Sequence, residues 1–66
     1  MTKNQAIACM AHGRKVTHPV WQEGEYIFMN QETFELTDEQ GQKFNWNWFW
    51  KLKTEAKWNR NWKIFR

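Results

Sequence analysis

The chain has 66 residues, 41% of them hydrophobic and 18% aromatic, and a formal net charge of +3. That length admits one domain, residues 1–66, which buries only about 60% of the surface of its unfolded chain and ordinarily needs a staple. The single cysteine, Cys9, excludes an internal disulfide, and no run approaches the roughly 20 apolar residues of a membrane span.

A lone thiol, with no apolar run after Lys3, predicts a soluble protein in a reducing cytoplasm. Two staples remain. One is the set of six Trp residues, each worth about 4–6 kcal/mol of gross burial as an upper bound. The other is homo-oligomerisation. Charge is divided unevenly. Residues 1–50 carry four basic against six acidic side chains, whereas residues 51–66 carry six basic against Glu55 alone. The basic end is also Trp-rich, a composition suited to phosphates and stacked bases, or simply to a solvated basic edge.

In chain order, Thr2 to His12 predicts a short helix. Thr2 and Gln5 have the spacing of a capping box, Ile7, Met10 and Ala11 form a narrow apolar stripe, and Gly13 is a left-handed stop. Arg14 to His18 predicts a strand with Val16 and His18 on one face, ended by Pro19. Glu23-Gly24 reads as a turn. Glu25 to Asn30 reads as a strand that is apolar on both faces, its second cover expected from another subunit.

Thr33 to Thr37 alternates, with Phe34 and Leu36 inward, and Asp38 to Gly41 forms a hairpin loop. The return strand is expected from Gln42 through Trp48. Phe44, Trp46 and Trp48 share its buried face, and Lys43, Asn45 and Asn47 the other. Residues 49–57 are expected to form one or two helical turns, and Trp62 to Phe65 a last strand. The expected fold is α+β: a short N-terminal helix followed by a four- to five-strand antiparallel sheet.

Catalytic chemistry is poorly supplied. The chain has no Ser, and the Cys9–His12 pair lacks a group to orient the imidazole. Cys9, His12 and His18 make three metal ligands at most, without a zinc spacing. The carboxylates fall on turns and outward strand positions, where solvation is their ordinary state. No enzyme, metal or cofactor is expected. Binding chemistry is better supplied, because aromatic rings, amides and basic groups cluster from Lys43 to Arg66. Asn45 and Asn47 are candidates to read a base edge, or simply meet water. Phe49 and Trp50 are the rings that the core is expected to explain least.

The run IACMAHGRKVTHPVWQEGEYIFM, Ile7 to Met29, resembles the Thoeris anti-defence family of the second type, small phage proteins. The shared layout is a short helix, Gly, a basic pair, Val, Pro, Trp, Glu-Gly and an aromatic–aliphatic strand. Trp58-Asn59-Arg60-Asn61-Trp62 resembles the W-x-x-x-W close of that family more loosely. The resemblance implies a small α+β oligomer that sequesters a cyclic nucleotide-type immune signal in the host cytoplasm without cleaving it. Arg14, Lys15 and Trp21 match the basic pair and the Trp. His18 stands where a basic residue is usual, and Asn-Arg-Asn replaces a Gly-containing turn.

Competing readings stand beside these. Trp21 serves equally as a core ring under the helix. A strand histidine satisfied by backbone outweighs a ligand role for His18, and a plain turn outweighs a phosphate site at Arg60. The candidate ligand residues are therefore Arg14, His18, Trp21, Asn45, Asn47, Phe49, Trp50 and Arg60. The alternatives to sequestration are an inhibitor docking on a host protein through an exposed Trp and basic surface, and a single-stranded nucleic-acid binder.

Overall fold

The computed structural model describes residues 1–66. The elements are α1 (Lys3–Ala11), β1 (Val16–Thr17), β2 (Ile27–Met29), β3 (Leu36–Asp38), β4 (Lys43–Phe44), α2 (Trp46–Lys51), a 3₁₀ turn (Ala56–Asn59) and β5 (Lys63–Ile64). The five strands form one antiparallel sheet in the order β4-β3-β2-β1-β5. The architecture is α+β, as the sequence predicts. No helix is long and apolar enough to cross a membrane.

Local chemistry sets both ends of α1. Thr2 Oγ1 accepts from the Gln5 N–H at 3.2 Å, and Gln5 Oε1 accepts from the Thr2 N–H at 2.9 Å, which completes the capping box. At the other end Gly13 adopts φ +82°. Its N–H donates to the Met10 carbonyl, and the Arg14 N–H donates to that of Cys9, the paired bonds of a Schellman stop. The buried stripe of α1 is Ala6 and Met10, with Ile7 half-buried; Ala11 is exposed, a shift of the predicted face.

The β3–β4 hairpin closes as expected. The Gly41 N–H donates to the Asp38 carbonyl, and Asp38 Oδ1 accepts from the N–H groups of Gln40 and Gln42 at 2.9 Å each. The turn before β3 differs from expectation. Asn30 Oδ1 caps the N–H groups of Glu32 and Thr33, and the Phe34 N–H donates to the Asn30 carbonyl at 2.7 Å. This tight turn holds Phe34 at φ +61° and leaves its ring exposed rather than inward.

One face of the sheet carries Val16, Ile27 and Leu36 into a core with Ala6, Met10, Phe49, Trp50, Trp58 and Trp62. Trp62 is the largest fully buried side chain, and its indole N–H donates to the Trp58 carbonyl at 2.8 Å. Its backbone pairs with Met1 in both directions. Three Trp rings thus supply the mass that so short a chain otherwise lacks.

Candidate functional site: an aromatic groove

The stretch Phe44–Trp50 decides the site. Instead of continuing as a strand to Trp48, the chain leaves the sheet after Phe44. Asn45 becomes the N-cap of α2, extended at φ −67°, ψ 134°, its Oδ1 accepting from the Trp48 N–H at 3.1 Å. Alternation of rings and Asn fits a strand, but an Asn also supplies the oxygen that a helix start needs, and here the cap prevails. Asn45 and Asn47 therefore do not share a strand face. Asn45 is spent on the backbone, and Asn47 stands exposed on the first turn.

The helix redistributes the rings. Residues 48 and 50 lie about 200° apart around a helix of 3.6 residues per turn. Phe49 and Trp50 turn into the core, both less than a tenth exposed, while Trp48 turns outward and is 52% exposed. The expectation that Phe49 and Trp50 lie outside the core is corrected accordingly, as is the burial of Trp48. Trp48 lies flat on Phe44, centroids 5.9 Å apart and planes within 6°. Trp46 meets Trp50 one turn on, at 5.8 Å and 66°.

Beside this stacked pair opens a groove of about 380 Å³. Ile27, Phe49 and Trp21 form its deep part, and Phe44, Trp48 and Leu52 its apolar wall. Trp21 meets Phe49 edge-to-face at 6.5 Å and Trp62 at 5.4 Å, so it is both core packing and groove lining. The polar rim comprises Glu25, Tyr26, Asp38, Glu39, Gln40 and Lys53. Lys53 is the rim's only cation, against three carboxylates. Its ammonium rests 4.4 Å from the Phe49 centroid and 5.0 Å from that of Trp58. Burial, and secondarily the neighbouring Lys57, holds its pKa below the ordinary 10.5.

The other candidates lie elsewhere. His18 is almost fully buried between Trp58 and Trp62, centroids 4.8 and 4.9 Å away. Its Nε2 lies 2.9 Å from the carbonyls of both Lys57 and Arg60, and its Nδ1 accepts from the Val20 N–H at 3.3 Å. Two carbonyl partners place the hydrogen on Nε2, and the imidazole ties the 3₁₀ turn to β1. Arg60 contributes its carbonyl here, and its side chain is exposed. Arg14 lies at a separate open hollow with Ala8, Cys9 and His12. Trp50 is core, its Nε1 without a partner and its ring under the Lys3 ammonium at 4.9 Å.

Of the predicted residues, the groove thus gathers Trp21 and Phe49, and not Arg14, His18, Asn45, Asn47, Trp50 or Arg60. Sequence reasoning missed Trp48, Leu52, Lys53 and the three carboxylates. The available signal was Asn45: read as an N-cap, it turns Trp48 away from Phe49 and Trp50. No family model matches the chain, and no curated protein or solved structure matches it either.

Proposed function

We propose that the chain is a non-catalytic binding protein that holds a nucleotide-type signal in the aromatic groove and so withdraws it from its receptor. In this reading it is a phage counter-defence protein acting in the host cytoplasm, the setting that the resemblance over Ile7–Met29 implies. The observation that carries the reading is the open face of Trp48, stacked flat on Phe44 at the mouth of the groove. An exposed, backed indole suits a planar base, a contact worth roughly 1–3 kcal/mol. Carboxylates such as Glu25 and Glu39 accept hydrogen bonds from ribose hydroxyls, and Lys53 meets a phosphate.

The charge balance narrows the ligand. One ammonium against three carboxylates favours a molecule rich in hydroxyl and N–H donors and poor in phosphate. Asp38 is the least available of the three, because its Oδ1 already serves two backbone N–H groups. Homo-oligomerisation belongs to the same reading as the second staple of a small core, and solution mass measures it. Calorimetry with cyclic di- and trinucleotides and cyclic ADP-ribose derivatives tests the binding. Recovery of the bound molecule chemically intact after denaturation supports sequestration, and recovery of a cleaved product contradicts it.

A second reading draws on the exposure of Leu52 beside Trp48. An apolar wall under an acidic rim also accommodates an arginine or aromatic anchor of a host protein. A single stoichiometric partner recovered from host lysate by the native chain, and lost on Trp48→Ala, supports inhibition over sequestration.

A further inference from the structure

The outer face of the sheet is a second surface, and strand register defines it. Phe28 pairs with Thr37, and Thr37 with Lys43. Val16 pairs with both Ile27 and Ile64, which aligns Lys15 with Phe28 on one side and Phe65 on the other. The Phe65 N–H donates to the Lys15 carbonyl at 3.0 Å. Because Val16, Ile27 and Leu36 face the core, their strand neighbours face away. A single row therefore runs Lys43, Thr37, Phe28, Lys15, Phe65 across all five strands, roughly 19 Å at the usual strand spacing. Tyr26 and Lys63 lie beside it.

The rings on this face touch. Tyr26 meets Phe65 at 4.6 Å and Phe28 at 6.3 Å, and the Lys15 ammonium sits 4.6 Å over Tyr26. The rings are half-buried, whereas Lys15, Lys43 and Lys63 are exposed. The acidic residues in phase with them are Glu35 and Glu39, two positions before and after Thr37. Three lysines against two glutamates at its margins, interleaved with rings, leave the face net positive and complement a polyanion with flat groups.

We propose that this face binds single-stranded nucleic acid, with bases stacking on Phe28, Tyr26 and Phe65 and phosphates meeting Lys15, Lys43 and Lys63. Charge selects this occupant over a second copy of the chain, because a two-fold pairing of the face sets the same three lysines against themselves. The rings select single strands over duplex, since a duplex keeps its bases stacked on one another. The surface meets the groove at Tyr26, but Lys15, Phe28, Lys43, Lys63 and Phe65 lie outside the groove, so variants at those positions test this face apart from it.

Fluorescence anisotropy with a labelled oligothymidine of about twelve nucleotides tests it, with a duplex of equal length alongside. Expected are binding at low salt, weaker binding of the duplex, and a log–log salt slope of about −2 for three lysines on a single strand. The double variant Lys43→Glu, Lys63→Glu lowers affinity about tenfold or more while keeping the circular dichroism spectrum of the native chain. Phe28→Ser also lowers affinity, with less change in the salt slope. No binding at low salt, a flat salt response, equal affinity for duplex, or an unaffected double variant overturns the proposal. So does self-association through this face, seen as a solution mass that falls to the monomer in the double variant.

Discussion

The imidazole of His18 stands edge-on to the indole of Trp62, centroids 4.9 Å apart and planes at 75°, at the point where β1 meets the C-terminal segment. Through Nε2 it also holds the carbonyls of Lys57 and Arg60. His18→Ala removes a buried ring and leaves two carbonyls and the Val20 N–H short of a partner. A loss of about 3 kcal/mol in unfolding free energy is expected, combining a core cavity with unmet hydrogen bonds. His18→Phe restores volume but not the bonds, so it recovers only part. Urea denaturation followed by Trp fluorescence measures both; a cost below about 1 kcal/mol for His18→Ala contradicts the role.

Asn45 distinguishes a helix start from a continuing strand. As the N-cap of α2, its replacement by Ala costs about 1 kcal/mol, and Asp in its place keeps most of the stability. Were Asn45 a solvent-facing strand residue, Ala and Asp would both be close to neutral. Chemical denaturation of the two variants separates these outcomes.

Phe34 offers a gain rather than a loss. An exposed ring at φ +61° carries left-handed strain for no buried contact, and Asn tolerates that conformation far better. Phe34→Asn is expected to raise unfolding free energy by about 0.5–1 kcal/mol. A fall in the denaturation midpoint instead assigns the ring a packing role.

Lys53 gives the groove a pH signature. Its amine titrates at 10.5 when unfolded and below that when folded, so between those values the unfolded chain binds more protons and stability rises with pH. The penalty on the charged form is fully present below the folded value. Lys53→Met is therefore more stable than the native chain near neutral pH, and the difference narrows as pH approaches 10.5. A difference that stays constant or widens over that range contradicts the desolvated ammonium.

The same residues show what the sequence makes legible. Thr2 with Gln5, Gly13, and Asp38 to Gly41 act on their own backbone, and all three predicted features form where expected. Val16 and His18 share a buried face because strand parity is local too. Phe44 to Trp50 was ambiguous for a physical reason: ring–Asn alternation satisfies a strand, while the same Asn45 oxygen caps a helix. Choosing a strand that ends at Trp48 buries that ring and leaves Phe49 and Trp50 beyond the strand; choosing the helix turns Trp48 outward and brings Phe49 and Trp50 into the core. The groove follows from that single choice. Its acidic rim was harder to see, because Glu25 and Asp38–Glu39 are brought together by the β2–β3 pairing and not by sequence proximity.

Titration calorimetry of the native chain and Trp48→Ala against the nucleotide panel tests the central claim most directly. Trp48 is exposed and outside the core, so the variant is expected to keep its fold. The account predicts that at least one ligand binds the native chain stoichiometrically and that Trp48→Ala weakens it about fivefold or more, the loss of one stacked base. No heat with any ligand, or equal affinity in the two proteins, contradicts it.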